Sequence, residues 1–212
     1  MAPGVEASRR KYHSPLREDQ AQQTRERALT AALSLFVDRG YAGTTVAAVA
    51  ELAGISPETI YLALGGKRGL LEAVISTAIG GDSLAAEDEE IWNAIEKLSD
   101  PRQRLEKIVK YSCEILARTR PIHAVIRGAA DKEKFAADLN QRLIRDRLGS
   151  QTERIRRYLK DDLRPELSVA QAGQRYSALA SPELYYLLTV EFGWTPLKHR
   201  TWITKLLVSE LL

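Results

Sequence analysis

The sequence predicts an all-α protein: an N-terminal three-helix head carrying a helix-turn-helix, joined to a larger C-terminal helical bundle. Three observations predict it. Apolar residues recur at helical spacing along most of the chain. Prolines and glycines interrupt that pattern at short intervals, where helices are expected to begin or end. No stretch alternates apolar and polar residues as a half-buried strand does.

Residues 1–17 read as a flexible arm containing Pro3, Gly4 and Pro15. From Glu18 to Arg39 the pattern is helical, with Leu29, Leu33, Phe36 and Val37 on one face, and Gly40 stops it. Thr44-Thr45 offers a hydroxyl cap for a second helix through about Ala53, whose apolar members are Val46, Val49, Ala50 and Leu52. Gly54 turns the chain and Ile55 plugs the turn. Ser56 caps a third helix, Pro57 takes its first position, and Glu58 complements its positive end. Gly65-Gly66 closes that helix, and Lys67 opens a fourth running to about Ala78.

The run "GGDSLAAEDEE", 80–90, is glycine-rich and then acidic, and marks a change of module. Helical patterns follow over about 87–98, 101–118, 121–130, 133–161, 168–179, 181–192 and 196–211. Asp100-Pro101, Arg120-Pro121, Arg164-Pro165, Ser181-Pro182 and Thr195-Pro196 punctuate them, because proline suits a first helical turn and disfavours helix in the residue before it. The domain division expected is an arm over 1–17, a three-helix head over 18–66, and a larger helical bundle over 67–212.

Charge sets limits. The net charge of +3 is matched by the arm alone, where Arg9, Arg10, Lys11 and Arg17 oppose Glu6, so overall basicity does not identify a nucleic-acid binder. The arginine-rich segment 141–164 reads as a solvated face. The longest run without a charged residue, Gly40 to Ala50, is far short of the roughly 18 residues of a membrane span. With no apolar signal core near the start, a cytoplasmic protein is expected. Cys113 is the only cysteine and reads as a small buried residue, with no disulfide and no cysteine-built metal site.

Two helices around a glycine turn, the second short and exposed, describe a helix-turn-helix. A helix enters the major groove only if one face is free, so other helices must hold its back and ends. Ile60 and Leu64, four apart, would pin the third helix to the core and leave Glu58, Thr59, Tyr61 and Leu62 outward or sideways. At these residues a family resemblance appears. "RGYAGTTVAAVAELAGISPETIYLALGGKRGLL", 39–71, resembles the signature of the TetR family of bacterial transcriptional regulators, and the likeness extends back through "ALTAALSLFVDRG". "SPELYYLLTVEFGWTP" is similar to a late segment of one branch of that family.

The resemblance implies a homodimeric repressor that binds double-stranded operator DNA through its head and is released by a small-molecule effector in its bundle. It implies DNA contacts at Thr44, Thr45, Tyr61 and Lys67, mainly to phosphates, and at Ser56, Glu58 and Thr59, which match the base-reading end of the recognition helix. Two departures stand out: Ala63-Leu64 replaces an aromatic or histidine followed by phenylalanine, and Gly65-Gly66 replaces Pro-Ser before the lysine. The residues themselves leave alternatives open. Glu58 could accept from cytosine or simply stabilise its helix end, and Leu62 could meet a thymine methyl or pack on the fourth helix.

For the effector, hydrophobic or amphipathic, the expected contacts are Trp92, Tyr111, His123, Arg127 and Phe135, since pockets combine apolar walls with a few fixed polar groups. "LYYLLTVEF" and "WITKLLVSELL" carry more apolar surface than one monomer easily covers, which points to a dimer built after about Ser168. "GGKRG" lacks the leading glycine and the Ser or Thr of a phosphate-binding loop, "GISPE" lacks the last glycine of a nucleophile elbow, and the three histidines have no ligand spacing. No catalytic residue, metal or cofactor is expected. The rival reading is a helical ligand- or partner-binding protein with a degenerate head.

Overall fold

The computed structural model describes residues 15–80 and 85–212, with the side chains of 19–80 and 89–212. Most of the basic arm and the first part of the glycine-rich break therefore lie outside the described residues. Those described are overwhelmingly helical, in the order α1 (Pro15–Gly43), α2 (Val46–Ala53), α3 (Pro57–Leu64), α4 (Gly66–Gly80), α5 (Ala85–Glu96), α6 (Pro101–Ala130), α7 (Lys134–Leu159), α8 (Val169–Leu179), α9 (Pro182–Tyr186) and α10 (Pro196–Leu211). A π-helical turn, Leu187–Glu191, extends α9. α1 starts at Pro15, within the stretch expected to be a loose arm, and its helical backbone breaks at Gly40 (φ 70°, ψ 173°).

The head packs on a different stripe of α1 from the one the long apolar side chains suggest. Leu29 and Phe36 are buried, but Leu33 and Val37 are largely exposed, and Ala28, Ala32 and Leu35 complete the inner face. The small alanines let α2 and α4 approach closely. In α2, likewise, Val46, Val49 and Ala50 face the core while Leu52 is exposed and Ala53 takes its place.

Proline positions separate by the residue before them. Asp100, Ser181 and Thr195 each accept a hydrogen bond from the first or second backbone N–H beyond the proline, and each starts a helix. Arginine has no acceptor with which to do this. Arg164-Pro165 falls in the connection between α7 and α8, where the Arg164 N–H donates to Leu211 O (2.9 Å) and its guanidinium to Ser209 O (2.8 Å), closing the end of α10. Arg120-Pro121 starts nothing: α6 runs unbroken for 30 residues, with Pro121 inside it. An interior proline costs about 3 kcal/mol, and burial of a single large apolar side chain returns about 1.5–3 kcal/mol. Ile122, Val125 and Ile126, all buried just beyond it, keep the helix whole. The sequence expectation of two helices, 101–118 and 121–130, is corrected to one.

α6 is shared by two hydrophobic cores. Its C-terminal half (Ile122, Val125, Ile126, Ala129) joins α1–α4 and the start of α7 around Phe36, Ile60, Leu70 and Leu71. Its N-terminal half (Leu105, Ile108, Val109, Cys113) joins α5, the end of α7, α8 and α10 around Tyr176, Ile155 and Ile203. Cys113 is buried as expected, with its thiol pushed up to about 12 by burial. The head's core thus continues across Gly65-Gly66 through α4 into the bundle.

Candidate nucleic-acid interface and effector cavity

α2 and α3 are bent by 106° about the Gly54 turn, within the range of a helix-turn-helix. Gly54 is left-handed (φ 64°) and ends α2, with the Ile55 N–H returning to Ala50 O at 3.0 Å. Ser56 caps α3: its Oγ accepts from the Thr59 N–H at 3.2 Å and lies 3.1 Å from Thr59 Oγ1. Ile60 and Leu64 are buried against α1 and α4. The opposite face is free, with Ser56, Glu58, Tyr61 and Leu62 exposed and Thr59 half-buried. Leu62 is 89% exposed, so it does not pack on α4, and the packing alternative is removed.

Two glycines fix how α3 is presented. A Cβ on Gly69 would sit 1.5 Å from Leu64 O, so the first turn of α4 rests directly on the last carbonyl of α3. Gly66 (φ 83°) lies under the Tyr61 ring, and a Cβ there would stand 3.0 Å from Tyr61 Cε1. The Gly65-Gly66 departure therefore gives Tyr61 a flat backbone floor while its side chain stays exposed.

Glu58 is fully exposed, and its carboxyl is held below the usual carboxylate range by its own backbone N–H and by the Ser56 hydroxyl. Thr45 is exposed and caps α2 through the Ala48 N–H at 3.1 Å. Thr44 is a correction. It is 1% exposed, and its hydroxyl is committed to Leu35 O (3.0 Å) and Gly40 O (2.9 Å), so it fastens the kink in α1 rather than facing DNA. Lys67 stands at the start of α4 with Nζ 3.3 Å from Ala42 O and 4.3 Å from the centre of the Tyr41 ring. Burial draws its ammonium below the usual lysine value, with Glu133 opposing. It ties α4 to the segment just before Thr45.

In the bundle, a cavity of about 310 Å³ opens between α6 and α7 where the two cores part. Its walls combine Ile79, Ile115, Leu116, Leu143, Ala180 and Pro182 with Ser112, Thr119, His123, Asp146, Arg147, Ser150, Gln151 and Arg154. Of the five expected effector contacts, His123 lines it, half-buried, and its imidazole is pushed down to about 4, by burial first and then by Arg147. The other four are placed elsewhere. Trp92 and Tyr111 pack edge to face (4.9 Å) behind the cavity, each beneath the Arg154 guanidinium at 4.9 and 5.1 Å. Arg127, although on the His123 face of α6, turns outward over the Tyr186 ring at 4.3 Å. Phe135 belongs to the head's core, 6.5 Å from Tyr41, with Arg68 over it at 5.2 Å.

The polar wall instead comes from α7. Arg147, Gln151 and Arg154, at spacings of four and three, share one helix face turned inward. The expectation of a solvated 141–164 is wrong for that stripe. The spacing was the available signal; counting charge without assigning faces hides it. Among the described residues, no group of three or more His, Cys, Asp or Glu could hold a metal ion. No single described helix is long and apolar enough to cross a membrane.

Comparison with known proteins agrees with this geometry. The sequence model "Bacterial regulatory proteins, tetR family" matches residues 28–74, from α1 into α4. The chain is 35% identical over 63 residues to the HTH-type transcriptional repressor BdcR of Escherichia coli, covering 30% of this chain and 32% of that protein. It is 30% identical over 109 residues to the HTH-type transcriptional regulator TtgR of Pseudomonas putida, covering 51% of each. The matches thus span about a third to a half of these relatives. Among solved structures, NalD, the secondary repressor of the MexAB-OprM multidrug efflux pump in Pseudomonas aeruginosa, is similar at a TM-score of 0.68 and 17% identity, over 91% of this chain and 98% of that one. The fatty acid degradation regulator FadR from Bacillus halodurans is similar at a TM-score of 0.64 and 16% identity, over 93% and 96%. At these identities the structural likeness establishes the fold.

Proposed function

From the match of its head to the TetR-family model we propose that the chain is a TetR-family one-component transcriptional regulator, a repressor, that binds operator DNA as a homodimer and is released when a small molecule fills the α6–α7 cavity. One observation carries the reading: α3 is buried on the Ile60–Leu64 side and bare on the side of Glu58, Tyr61 and Leu62. A helix held in that way suits a major groove. On it, Ser56, Glu58 and Thr59 read base edges, while Thr45, Tyr61 and Lys67 take phosphates.

Dimerisation is supported by the exposed apolar side chains at and after the π-helical turn: Leu187, Val190, Phe192 and Leu197. α10 contributes less than its composition suggests, because Ile203, Leu207 and Leu211 are spent on the monomer's own core. Fluorescence anisotropy with labelled duplex from the DNA upstream of the protein's own gene tests the reading. Binding that is sequence-specific and falls steeply with salt is expected, since phosphate contacts release counterions. Binding indistinguishable from that of scrambled duplex would favour a ligand-binding protein with a degenerate head.

A further inference from the structure

The cavity is not neutral in its chemistry. Arg147 reaches it from α7 with its Nε buried and without a hydrogen-bond partner, and Gln151, 4% exposed, presents an Oε1 in the same condition. Unpaired buried polar groups are costly, more so when charged, so natural structures rarely carry two side by side without a use for them. The nearest carboxylate to Arg147 is a poor match: Glu183 stands 3.6 Å away, well beyond the roughly 2.7–2.9 Å of a charge-assisted hydrogen bond. Arg154 adds a second cation, laid over the Trp92 and Tyr111 rings. Against these two guanidiniums the lining holds one carboxylate, Asp146, which is exposed. His123 stays neutral at physiological pH and adds no opposing charge. The remaining wall is aliphatic, from Ile79, Ile115, Leu116 and Leu143.

We propose that this cavity selects amphipathic monoanions: a compact apolar body on the aliphatic wall, bearing one carboxylate that pairs with the Arg147 guanidinium. Gln151 Oε1 accepts from a hydroxyl beside the carboxylate, or the amide turns over so that its nitrogen donates to the carboxylate's second oxygen. A cation of the same shape meets Arg147 and Arg154 unshielded in a partly desolvated space. A neutral alcohol offers Arg147 one uncharged acceptor, without the ion pair or the second oxygen of a carboxylate. The volume of about 310 Å³ lies at the small end of the roughly 300–1,000 Å³ typical of ligand pockets, which limits the body to one ring or a medium alkyl chain. The inference rests on reading the cavity as the effector site.

Isothermal titration calorimetry on the full chain tests it with two matched probe series: octanoate, octanol and octylamine, and phenylbutyrate, phenylbutanol and phenylbutylamine. The carboxylate of at least one series should bind about tenfold or more tighter than its alcohol, as expected when a buried charged donor gains its acceptor, and the amine weakest. Arg147→Met should abolish that preference while leaving alcohol affinity within about threefold, because the apolar wall is intact. Arg147→Lys, which keeps charge but loses the fork, should retain part of it and serves if the methionine variant fails to fold. Equal binding of alcohol and carboxylate, preference for the amine, an undiminished preference in both Arg147 variants, or no binding by any probe would each overturn the proposal. Operator binding measured on the same preparation keeps the two readings apart. Specific DNA binding without anion preference removes this inference alone; anion preference without DNA binding removes the regulator reading alone.

Discussion

Arg118, midway along α6, donates from Nε to the carbonyl of Ala78 at 3.0 Å and from a terminal nitrogen to that of Ile79 at 3.2 Å. These are among the last carbonyls of α4, which have no partner within the helix. α4 is thereby held at both ends: Lys67 ties its start to Ala42 in the turn before α2, and Arg118 clasps its end beside the cavity that Ile79 lines. A ligand pressing on Ile79 acts on a helix whose far end presents α3. Arg118→Ala should lower the ratio of operator affinities without and with effector by about 1 kcal/mol, roughly fivefold. The measurement is operator affinity with and without a ligand found by thermal-shift screening. An unchanged ratio would mean that α4 is not the lever.

Phosphate contacts and base contacts should separate cleanly. Tyr61→Phe and Lys67→Ala should weaken binding to every sequence alike, and Lys67→Ala should reduce the salt slope by about one per head. Glu58→Gln or Thr59→Ala should instead change the ranking of operators. If Lys67→Ala left the slope intact, its ammonium would be serving only Ala42 O and the Tyr41 ring.

Gly69→Ala should destabilise the protein by about 2–3 kcal/mol, an overpacking cost, with a lower melting temperature and lost DNA binding, because its Cβ collides with Leu64 O. Gly128→Ala, in α6 where a Cβ meets nothing within 4 Å, should stabilise by about 0.4–1 kcal/mol. Thermal melts of the two variants check both signs.

Acid should weaken the fold through His123. Its folded value of about 4 lies below that of the unfolded chain, so the unfolded state binds the extra proton. The stability this represents is complete above pH of about 6.5 and is lost as pH falls towards 4, at about 1.4 kcal/mol per unit. His199, also shifted down by burial, adds in the same sense. Urea midpoints between pH 7 and 4.5 should fall less for His123→Gln than for the unaltered chain.

Sedimentation should show a dimer at micromolar concentration, and Phe192→Asp should shift it towards monomer, since that side chain is 61% exposed beside Leu187 and Val190. A monomer in the unaltered chain would remove the dimer from the proposed function.

The head was legible because its signals are local. A hydroxyl at Thr45 or Ser56, a glycine at 54 and a proline at 57 each act on backbone groups within a turn of themselves. The cavity was not, because its polar face depends on how α7 is rotated against α6, and aromatic content drew attention to Trp92 and Phe135 instead of to Arg147 and Gln151. Pro121 misled for the same reason: its local cost is outweighed by the buried Ile122, Val125 and Ile126, which only the tertiary structure reveals. Thr44 and Thr45 look equivalent in sequence, yet one side chain turns to Leu35 O and the other to Ala48 N.

Because α6 lends its two halves to two cores, the head is not a detachable module. A fragment ending at Gly80 would keep Phe36, Leu71 and Ile75 but lose Ile122, Val125 and Ile126, which pack in the same cluster. Transplanting residues 15–80 onto a foreign sensor would leave that face wet and aggregation-prone. A chimaera that carries this head intact needs its junctions inside α6, beyond Leu116 on one side, so that the last turns of that helix travel with α1–α4.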